Sequence, residues 1–405
     1  MTNVVANNIT EDLYESAIIE ELKGLGYEYR YGPNIPRSTQ NYRDVFIDDT
    51  LESSLSHINK GIPRAAIDEA MRKISSVDEG SIYIRNEVFN DFLQSGVPVS
   101  YFNGKEQIST WVKLLDFDEP SNNVFNVVNQ WTVSEKATKR VDLVLFVNGL
   151  PLVVFELKSP SRENVDSSDA YLQIRNYLQA IPSFFVPNVF CVLSDLADTR
   201  VGTITANEDR YLQWKTVDGD YSNTKWADYR VMLEGMCEPS RLLDIIKNFV
   251  CFGNTSEKVI KILAGYHQYF AVNKAIKTTM KAVNTDGKAG VFWHTQGSGK
   301  SLSMVFFAHL IQQHVDSPTI VVITDRNDLD DQLYGQFGRC EKFLRQTPVQ
   351  AKSQKDLINL LNNRAANGIV FTTMQKFTEN QTVLSTRKNI IVMADEAQSA
   401  TSSVV

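Results

Sequence analysis

The 405-residue sequence lacks an uninterrupted apolar run of the length that a membrane-spanning helix needs, roughly 18–20 residues. Its first residues, MTNVVANNITEDLYE, also lack the basic and apolar regions of a secretory signal peptide. Cysteine is scarce: the four residues include no Cys-x-x-Cys pair, which argues against a disulfide framework and against structural zinc. We therefore expect a protein of the reducing cytoplasm.

An excess of basic residues is missing as well. The chain has 41 Lys and Arg against 48 Asp and Glu, a formal net charge of −7, which by itself argues against a nucleic-acid-binding protein. Two short basic strips favour nucleic-acid binding: one contains Lys136, Lys139 and Arg140, and the other contains Lys274, Lys277 and Lys281. Ordinary solvated lysines would give the same pattern, so charge leaves both interpretations open.

Residues 141–158, VDLVLFVNGLPLVVFELK, predict two short apolar strands joined by a turn at Asn148-Gly149. Glu156 and Lys158 are two residues apart and share one face of a strand, and Asp142 on the partner strand can approach the same point. Three charges among apolar neighbours need a reason. Two carboxylates can hold Mg²⁺ against a scissile phosphate, and a lysine can orient water or offset developing charge.

At Asp142…Glu156-x-Lys158 the chain resembles the PD-(D/E)xK nuclease superfamily, with Val141 where a proline often precedes the aspartate. The resemblance implies Mg²⁺ bound by Asp142 and Glu156, with Lys158 assisting the water. Because Glu-x-Lys is a common triplet, an edge hairpin with a surface Glu–Lys pair is the alternative interpretation.

Two other helices carry candidate residues of the same site. Gln173 and Tyr177 are four apart on a predicted helix, 169–180, and so share one face. In related nucleases this pair supports the active site or contacts DNA; packing by Tyr177 with a solvated Gln173 is the alternative. Residues 11–25 predict an amphipathic helix that stops at Gly26. The resemblance aligns Glu15 with a first-helix glutamate that could complete the metal site, although a solvated acidic face would look the same.

Residues 289–301, AGVFWHTQGSGKS, predict a short apolar strand, a glycine-rich turn and a helix beginning near Lys300. The backbone N–H groups of such a loop, Gly297-Ser298-Gly299, can cradle phosphate, while Lys300 reaches the β- and γ-phosphates of ATP and Ser301 ligates Mg²⁺. His294 stands where the usual Walker A motif has its first glycine. The same position also departs from glycine in superfamily-2 helicase-like motors, which the TQGSGKS segment resembles.

Further motor motifs follow in order. Apolar runs at 319–325, 367–373 and 389–394 predict buried parallel strands, which with the run before the loop make four in a doubly wound, RecA-like lobe. The first of these strands, 319–325, leads into the pattern D-R-x-x-L-x-x-Q. In such motors the junction between this strand and the following helix contacts the DNA backbone. Asp395-Glu396-Ala397-Gln398 resembles motif II, in which Asp395 would hold Mg²⁺ through water and Glu396 would polarise the attacking water.

Gln268 lies 32 residues before Lys300. It resembles the Q-motif glutamine that reads the adenine edge in helicase-like motors. The alternative is an exposed glutamine on an amphipathic helix.

A PD-(D/E)xK nuclease followed by a superfamily-2 motor resembles the R (restriction) subunit of type I restriction–modification enzymes. We predict an α/β fold with an endonuclease domain at 1–235, a connecting helix and linker at 236–260, and the first RecA-like lobe at 261–405. The family continues into a second lobe, so we expect this chain to be part of a longer protein. The resemblance implies ATP and Mg²⁺ as cofactors, and double-stranded DNA with the methyltransferase (M) and specificity (S) subunits as partners. No membrane partner is expected.

The implied activity is ATP-driven translocation of duplex DNA and non-specific cleavage remote from the recognition site. One alternative is another ATP-dependent nuclease–translocase, either a repair nuclease-helicase or a type III-like restriction subunit. A second is an ATP-gated DNA-binding clamp with an inactive nuclease fold. Partner methyltransferase and specificity subunits would argue against the first, and metal binding at Asp142 and Glu156 would argue against the second.

Overall fold

The computed structural model describes residues 10–37, 42–158, 167–195, 198–222, 229–255, 257–295, 297–325, 327–362, 367–377 and 384–395. They form two compact units, one comprising the chain up to 250 with 259–265, the other comprising 251–258 and the chain from 266 onward. Both units mix helices with parallel strands, which confirms the α/β class. Within these ranges no helix has the length and apolarity to cross a bilayer.

The first unit contains these elements in chain order: α1 (Glu11–Gly24), β1 (Glu28–Tyr31), α2 (Asp48–Ile58), α3 (Arg64–Ser75), α4 (Ile82–Ser95), β2 (Val97–Phe102), β3 (Gln107–Val112), β4 (Phe125–Ser134), β5 (Thr138–Val147), β6 (Leu150–Leu157), α5 (Ser167–Ala180), β7 (Phe190–Ser194), β8 (Thr199–Gly202), α6 (Tyr229–Met232), α7 (Pro239–Asn248) and β10 (Lys261–Leu263). The short strand β9 (Val250–Phe252) lies at the boundary between the units. The elements α2 to β3 were not predicted.

Six strands form the central sheet of this unit, in the order β1-β4-β5-β6-β7-β8. Strand β5 runs antiparallel to both of its neighbours, β4 and β6, while β1 is parallel to β4 and β7 is parallel to β6. Every one of the eight residues of β6 is buried, as expected for a continuous apolar run in the middle of a sheet covered on both faces. Helix α5 covers one face through Ala170, Ile174 and Tyr177.

The turn of the β5–β6 hairpin lies inside the protein. Asn148 and Gly149 both have positive φ, 52° and 79°, as the predicted tight hairpin turn requires. The Asn148 side chain donates a 2.9 Å hydrogen bond to the carbonyl of Leu114, and the Gly149 carbonyl accepts one of 2.9 Å from the N–H of Ile47. These contacts fix the register of the hairpin, and with it the positions of the charged residues at its other end.

The second unit contains α8 (Tyr266–Val283), α9 (Lys300–His314), β11 (Thr319–Thr324), α10 (Asn327–Arg339), α11 (Glu341–Leu344), β12 (Val349–Gln350), α12 (Gln354–Asn362), β13 (Gly368–Thr373) and β14 (Ile390–Ala394). Its four strands are parallel, in the order β12-β13-β11-β14. Three of them, β11, β13 and β14, coincide with predicted apolar runs.

The predicted strand before the glycine-rich turn was wrong. Residues 289–293 form no strand, and the large side chains of Val291 and Trp293 are 82% and 75% exposed. The fourth strand of the sheet is instead β12, a two-residue segment that had no strong apolar pattern. An apolar run becomes a strand only where a neighbour pairs with its backbone N–H and C=O groups, and this segment pairs with no strand among the described residues.

Candidate functional site

Asp142 and Glu156 lie side by side at the open end of the β5–β6 hairpin. The ladder between the strands pairs Leu143 with Phe155, and Asp142 and Glu156 are the next residue on each strand. A carboxylate oxygen of Asp142, Oδ2, accepts a 2.9 Å hydrogen bond from the backbone N–H of Leu157, which holds this side chain against β6. The structure therefore brings together the two carboxylates that we predicted to converge.

Lys158 forms an ion pair with one of the two carboxylates, that of Glu156. Its Nζ lies 2.5 Å from Oε1 of Glu156, and its backbone N–H donates to the carbonyl of Ser194 at the end of β7. The side chain of Lys158 is 19% exposed and that of Glu156 only 2%. The ammonium group thus lies between a buried carboxylate and the solvent, where it can meet a polar substrate.

The environment disfavours two negative charges at this position. Burial raises the pKa of Asp142 well above its ordinary value, and the neighbouring charge of Glu156 raises it further. Burial also raises the pKa of Glu156, although Lys158 partly offsets that effect. Burial acts to lower the pKa of Lys158, but the nearby carboxylates, Glu156 above all and then Asp142, together outweigh it, and the pKa of Lys158 rises. An additional positive charge between the carboxylates would relieve this arrangement.

The donor set fits a hard divalent cation. Among the described residues, Oε2 of Glu156 is buried and has no hydrogen-bond partner, a costly state unless a donor or cation approaches. Oxygen ligands of this kind suit Mg²⁺, which is held by one or two carboxylates and keeps several waters. No group of three or more His, Cys, Asp or Glu side chains in the described ranges is placed to share a metal ion. The candidate ligands here are the adjacent carboxylates of Asp142 and Glu156, the second with its unpartnered oxygen.

The predicted pair on α5 lies next to these carboxylates. The single hydroxyl proton of Tyr177 has two acceptors within reach: the carbonyl of Arg140, at 3.1 Å, and the carboxylate of Glu156, whose pKa a hydrogen bond from Tyr177 lowers. Burial raises the pKa of Tyr177, and a hydrogen bond with Gln173 acts against this rise. Tyr177 therefore both packs in the core and contacts the candidate site, while Gln173 contacts Tyr177.

Glu15 on α1 binds the sheet through both of its carboxylate oxygens. Oε1 accepts a 2.6 Å hydrogen bond from the Asn129 side chain, and Oε2 accepts one of 3.0 Å from Gln130. Burial raises the pKa of Glu15, and these two amides lower it. Neither amide was predicted to take part in the site. The available signal was the polar Asn-Gln pair inside the otherwise apolar strand FNVVNQWTV.

In the second unit the glycine-rich turn leads directly into α9. Gly297 and Gly299 have positive φ, 82° and 81°, conformations that glycine adopts without the steric cost of a Cβ atom. Lys300 is the first residue of α9 and half-buried Ser301 is the second. Nζ of Lys300 lies 2.7 Å from a carboxylate oxygen of Asp395, which directly follows β14. The structure thus brings the predicted lysine and aspartate together.

The first turn of α8 holds the same loop. The buried amide of Gln268 donates a 3.0 Å hydrogen bond to the carbonyl of Gly299, and Nε2 of His267 lies 3.0 Å from the carbonyl of Ser298. Gln268 is therefore not the exposed glutamine of the alternative interpretation. Glu396 and Arg326 lie outside the described residues.

Comparisons with known proteins find two matching families. The family model described as "Type I restriction enzyme R protein N terminus" matches residues 8–210, and that of the SWI2/SNF2 ATPase matches residues 267–404. The first range contains Asp142, Glu156 and Lys158, and the second contains Lys300 and Asp395.

Curated relatives match nearly the whole chain. The type I restriction enzyme HindI endonuclease subunit of Haemophilus influenzae is 39% identical, over 96% of this chain and 39% of the relative. A Methanocaldococcus jannaschii protein, provisionally named the type I restriction enzyme MjaIXP endonuclease subunit, is 30% identical over 97% of this chain and 40% of its own length. The SauMSSORF170P endonuclease subunit of Staphylococcus aureus is 24% identical over 91% and 37%. The chain therefore spans about two fifths of the length of these relatives.

Proposed function

Because the chain belongs to the type I restriction enzyme R protein family, we propose that it carries the nuclease and part of the motor of a restriction subunit. The proposed activity is Mg²⁺-dependent, non-specific cleavage of double-stranded DNA, remote from the recognition site and driven by ATP-dependent translocation. Its proposed partners are the methyltransferase and specificity subunits, in the cytoplasm. The observation that carries the proposal is the Asp142–Glu156–Lys158 cluster with its buried, unpartnered carboxylate oxygen.

In this proposal the nuclease domain has the PD-(D/E)xK fold and Asp142 and Glu156 hold Mg²⁺. Bound Mg²⁺ supplies Lewis-acid activation of water and charge stabilisation at the scissile phosphate. Lys158, paired with Glu156, keeps a positive charge beside the carboxylates and orients the attacking water. When the hydroxyl of Tyr177 donates to Glu156 in place of the Arg140 carbonyl, it lowers the pKa of Glu156 and so favours the charged, metal-binding form of that carboxyl.

A basic strip leads toward the carboxylates along β5. Lys136 and Arg140 are exposed and Lys139 is partly exposed, and they precede Asp142 on the same strand or its turn. Lysine and arginine contacts to phosphate oxygens fix a duplex in position without reading its sequence. Such contacts suit cleavage that depends on stalled translocation and does not depend on local sequence.

The second unit is proposed to be the first RecA-like lobe of the motor. The loop N–H groups would cradle the phosphates, with Lys300 exchanging Asp395 for the β- and γ-phosphates and Ser301 ligating Mg²⁺. Asp395 would then hold the same Mg²⁺ through water, and Glu396 would polarise the attacking water. Gln268, which already holds the loop through Gly299, would read the adenine edge from that position.

The test uses the full-length subunit assembled with its partner subunits on circular DNA, with and without ATP and host methylation. We expect ATP-dependent cutting of unmethylated circles only. K158A should abolish cleavage and retain DNA-stimulated ATPase activity, K300A should abolish both, and K105A at an exposed lysine should change neither.

Other outcomes would overturn the proposal. Cleavage by K158A would show that the active site is misassigned. Cutting that ignores methylation or requires free DNA ends would favour a repair nuclease-helicase. An intact ATPase in a complex that neither binds metal at Asp142 nor cuts DNA would favour the ATP-gated clamp.

A further inference from the structure

The hydrogen bonds between α1 and β4 are geometrically unusual. Asn129 and Gln130 are consecutive residues of β4, and consecutive side chains of a regular strand point to opposite faces of the sheet. Here both amides donate to the same carboxylate, that of Glu15. The strand must therefore depart from its regular conformation between these two residues.

Gln130 supplies that departure. Its φ is 55°, in the left-handed region that residues with a Cβ rarely adopt. Val128 on one side and Trp131 on the other belong to the same core cluster, although residues three apart in a regular strand face opposite ways. A residue in a sparsely populated backbone conformation persists only where its surroundings impose it, and such residues concentrate at functional sites.

The position of this distortion links it to the candidate nuclease site. The β4–β5 ladder pairs Asn129 with Leu143 and Trp131 with Val141, so Gln130 stands opposite Asp142. Parallel pairing of β1 with β4 ends at Asn129. The next residue of the chain after β1, Gly32, packs so close that a Cβ there would lie 2.6 Å from the Asn129 carbonyl oxygen.

A second contact anchors α1 on the other side of the site. The hydroxyls of Tyr14 and Ser194 share a buried hydrogen bond of 2.6 Å. Ser194 ends β7, and its carbonyl accepts the backbone N–H of Lys158. Helix α1 is thus fixed to β4 on one side of Asp142 and Glu156 and to β7 on the other.

We propose that Gln130 is a positioning residue: with Asn129 it clasps Glu15 and thereby holds the first turn of α1, with Glu11, beside the Asp142–Glu156 pair. Glu11 and Glu15 are four residues apart and share one face of the helix. The charge of Glu11 reaches all three members of the cluster, since it raises the pKa of Asp142, Glu156 and Lys158. The inference rests on the proposed nuclease function. In it Glu15 anchors α1 to β4, because its two carboxylate oxygens accept hydrogen bonds from amides, and it is not a metal ligand.

Three substitutions at position 130 separate the amide from the backbone conformation. Q130G permits the left-handed φ but removes the amide. Q130N keeps an amide on the non-glycine residue that best tolerates this conformation. Q130A removes the amide and disfavours the conformation as well. Q107A, at an exposed position of β3, is the matched control.

The measurement is Mn²⁺ binding by the full-length subunit without nucleotide, read from the loss of the free-ion EPR signal. Mn²⁺ is a suitable probe because carboxylate and water ligands suit it as they suit Mg²⁺. We expect Q130A and Q130G to weaken binding by about 10- to 100-fold, the usual effect of removing a group that orients metal ligands. E11Q should also weaken binding, because a negative charge near enough to raise the pKa of both carboxyls also attracts a cation bound between them. Q130N should recover part of the loss and Q107A should match the wild type.

The outcomes distinguish the clasp from the proposed function. If D142N abolishes Mn²⁺ binding while Q130A and Q130G bind as the wild type does, the clasp is refuted and the nuclease site stands. If E11Q alone binds normally, Glu11 has no part in the site and the proposal fails in that form. If D142N itself binds normally, the nuclease function fails first. Should Q130A not fold, E11Q and Q130N carry the same test.

Discussion

Replacing Asp142 by asparagine should stabilise the metal-free protein and at the same time remove its response to metal. Asp142, which is partly buried, and Glu156, which is buried, are cross-strand neighbours. Burial raises the pKa of both carboxyls, and the charge of Glu156 raises the pKa of Asp142 further. The D142N amide still offers an oxygen to the N–H of Leu157, which in the wild type donates to Asp142 over 2.9 Å. The substitution therefore removes a repulsion and retains the hydrogen bond that positions the side chain.

The magnitude follows from the geometry. Side chains directly opposite on antiparallel strands are roughly 5 Å apart. Two like charges at that distance repel by roughly 3 kcal/mol at an effective dielectric constant of about 20. Lys158, at 2.5 Å from Glu156, already offsets part of this. We expect D142N to raise the free energy of unfolding of the first unit by about 1–2 kcal/mol at pH 7, a factor of roughly 5–30 in its unfolding equilibrium.

The gain should depend on pH in a defined direction. Burial raises the folded-state pKa of both carboxyls above their ordinary values of 3.8 and 4.5, so the folded state binds these protons more tightly than the unfolded state does. The stabilisation that this tighter proton binding gives the folded state is complete below the ordinary pKa values and is lost as the pH rises through the raised pKa values. The advantage of D142N should therefore be small near pH 4 and grow toward pH 7.

The assay is native-state hydrogen exchange read by mass spectrometry on the amides of β6, in EDTA and in excess Mg²⁺. In EDTA the slowest amides of D142N should exchange more slowly than those of the wild type. In Mg²⁺ the order should reverse, because only the wild type gains binding free energy. D78N, at an exposed aspartate, is the control. Equal exchange of D142N and wild type in EDTA at pH 7 would refute the repulsion on which the argument rests.

Three further results are expected. G149A should lower the free energy of unfolding by about 2–3 kcal/mol in chemical denaturation, because at φ +79° its Cβ would lie 2.5 Å from a backbone oxygen. G61A, which has a similar φ but open space around the Cβ, should lower it by about 1 kcal/mol. Equal losses in the two variants would contradict this. K300A should weaken ATP binding roughly 10- to 100-fold in fluorescence anisotropy, since a hydrogen bond to a charged group contributes about 1.5–3 kcal/mol; unchanged affinity would remove Lys300 from the phosphate site. Y177F should move the acid limb of the pH–rate profile of cleavage to higher pH, because in the wild type the hydroxyl lowers the pKa of Glu156 and its loss raises that pKa. An unmoved acid limb would leave Tyr177 with a packing role only.

The hairpin could be predicted from local sequence because its signals agree with one another. Continuous apolar runs, a central Asn148-Gly149 turn and two-residue spacing of Glu156 and Lys158 all indicate the same register. The observed ladder keeps that register over β5 and β6, apart from an irregularity between Leu145 and Phe146. Local preference and tertiary packing act in the same direction here, so the sequence is sufficient.

The strand expected at 289–293 illustrates the opposite case. AGVFWH has the composition of a buried strand, yet strand formation depends on a partner whose presence no local pattern reveals. The left-handed conformation of Gln130 is equally hidden, because the polar Asn129-Gln130 pair indicates a buried polar partner but does not indicate a positive φ. The contacts made there come from residues about a hundred positions away in sequence: the carboxylate of Glu15 and the close-packed Gly32.

Several departures from local preference in the first unit lie close together. One buried and one partly buried carboxylate with raised pKa values, an unpartnered oxygen on Glu156 and a left-handed Gln130 each carry a cost. Strand register and hydrogen bonds bring them within one cross-strand neighbourhood. A single bound cation would relieve the two carboxylates and the unpartnered oxygen, while in our proposal the conformation of Gln130 serves to hold α1 beside them. The same reasoning explains why D142N should be more stable without metal: selection for binding retains a charge that folding alone would discard.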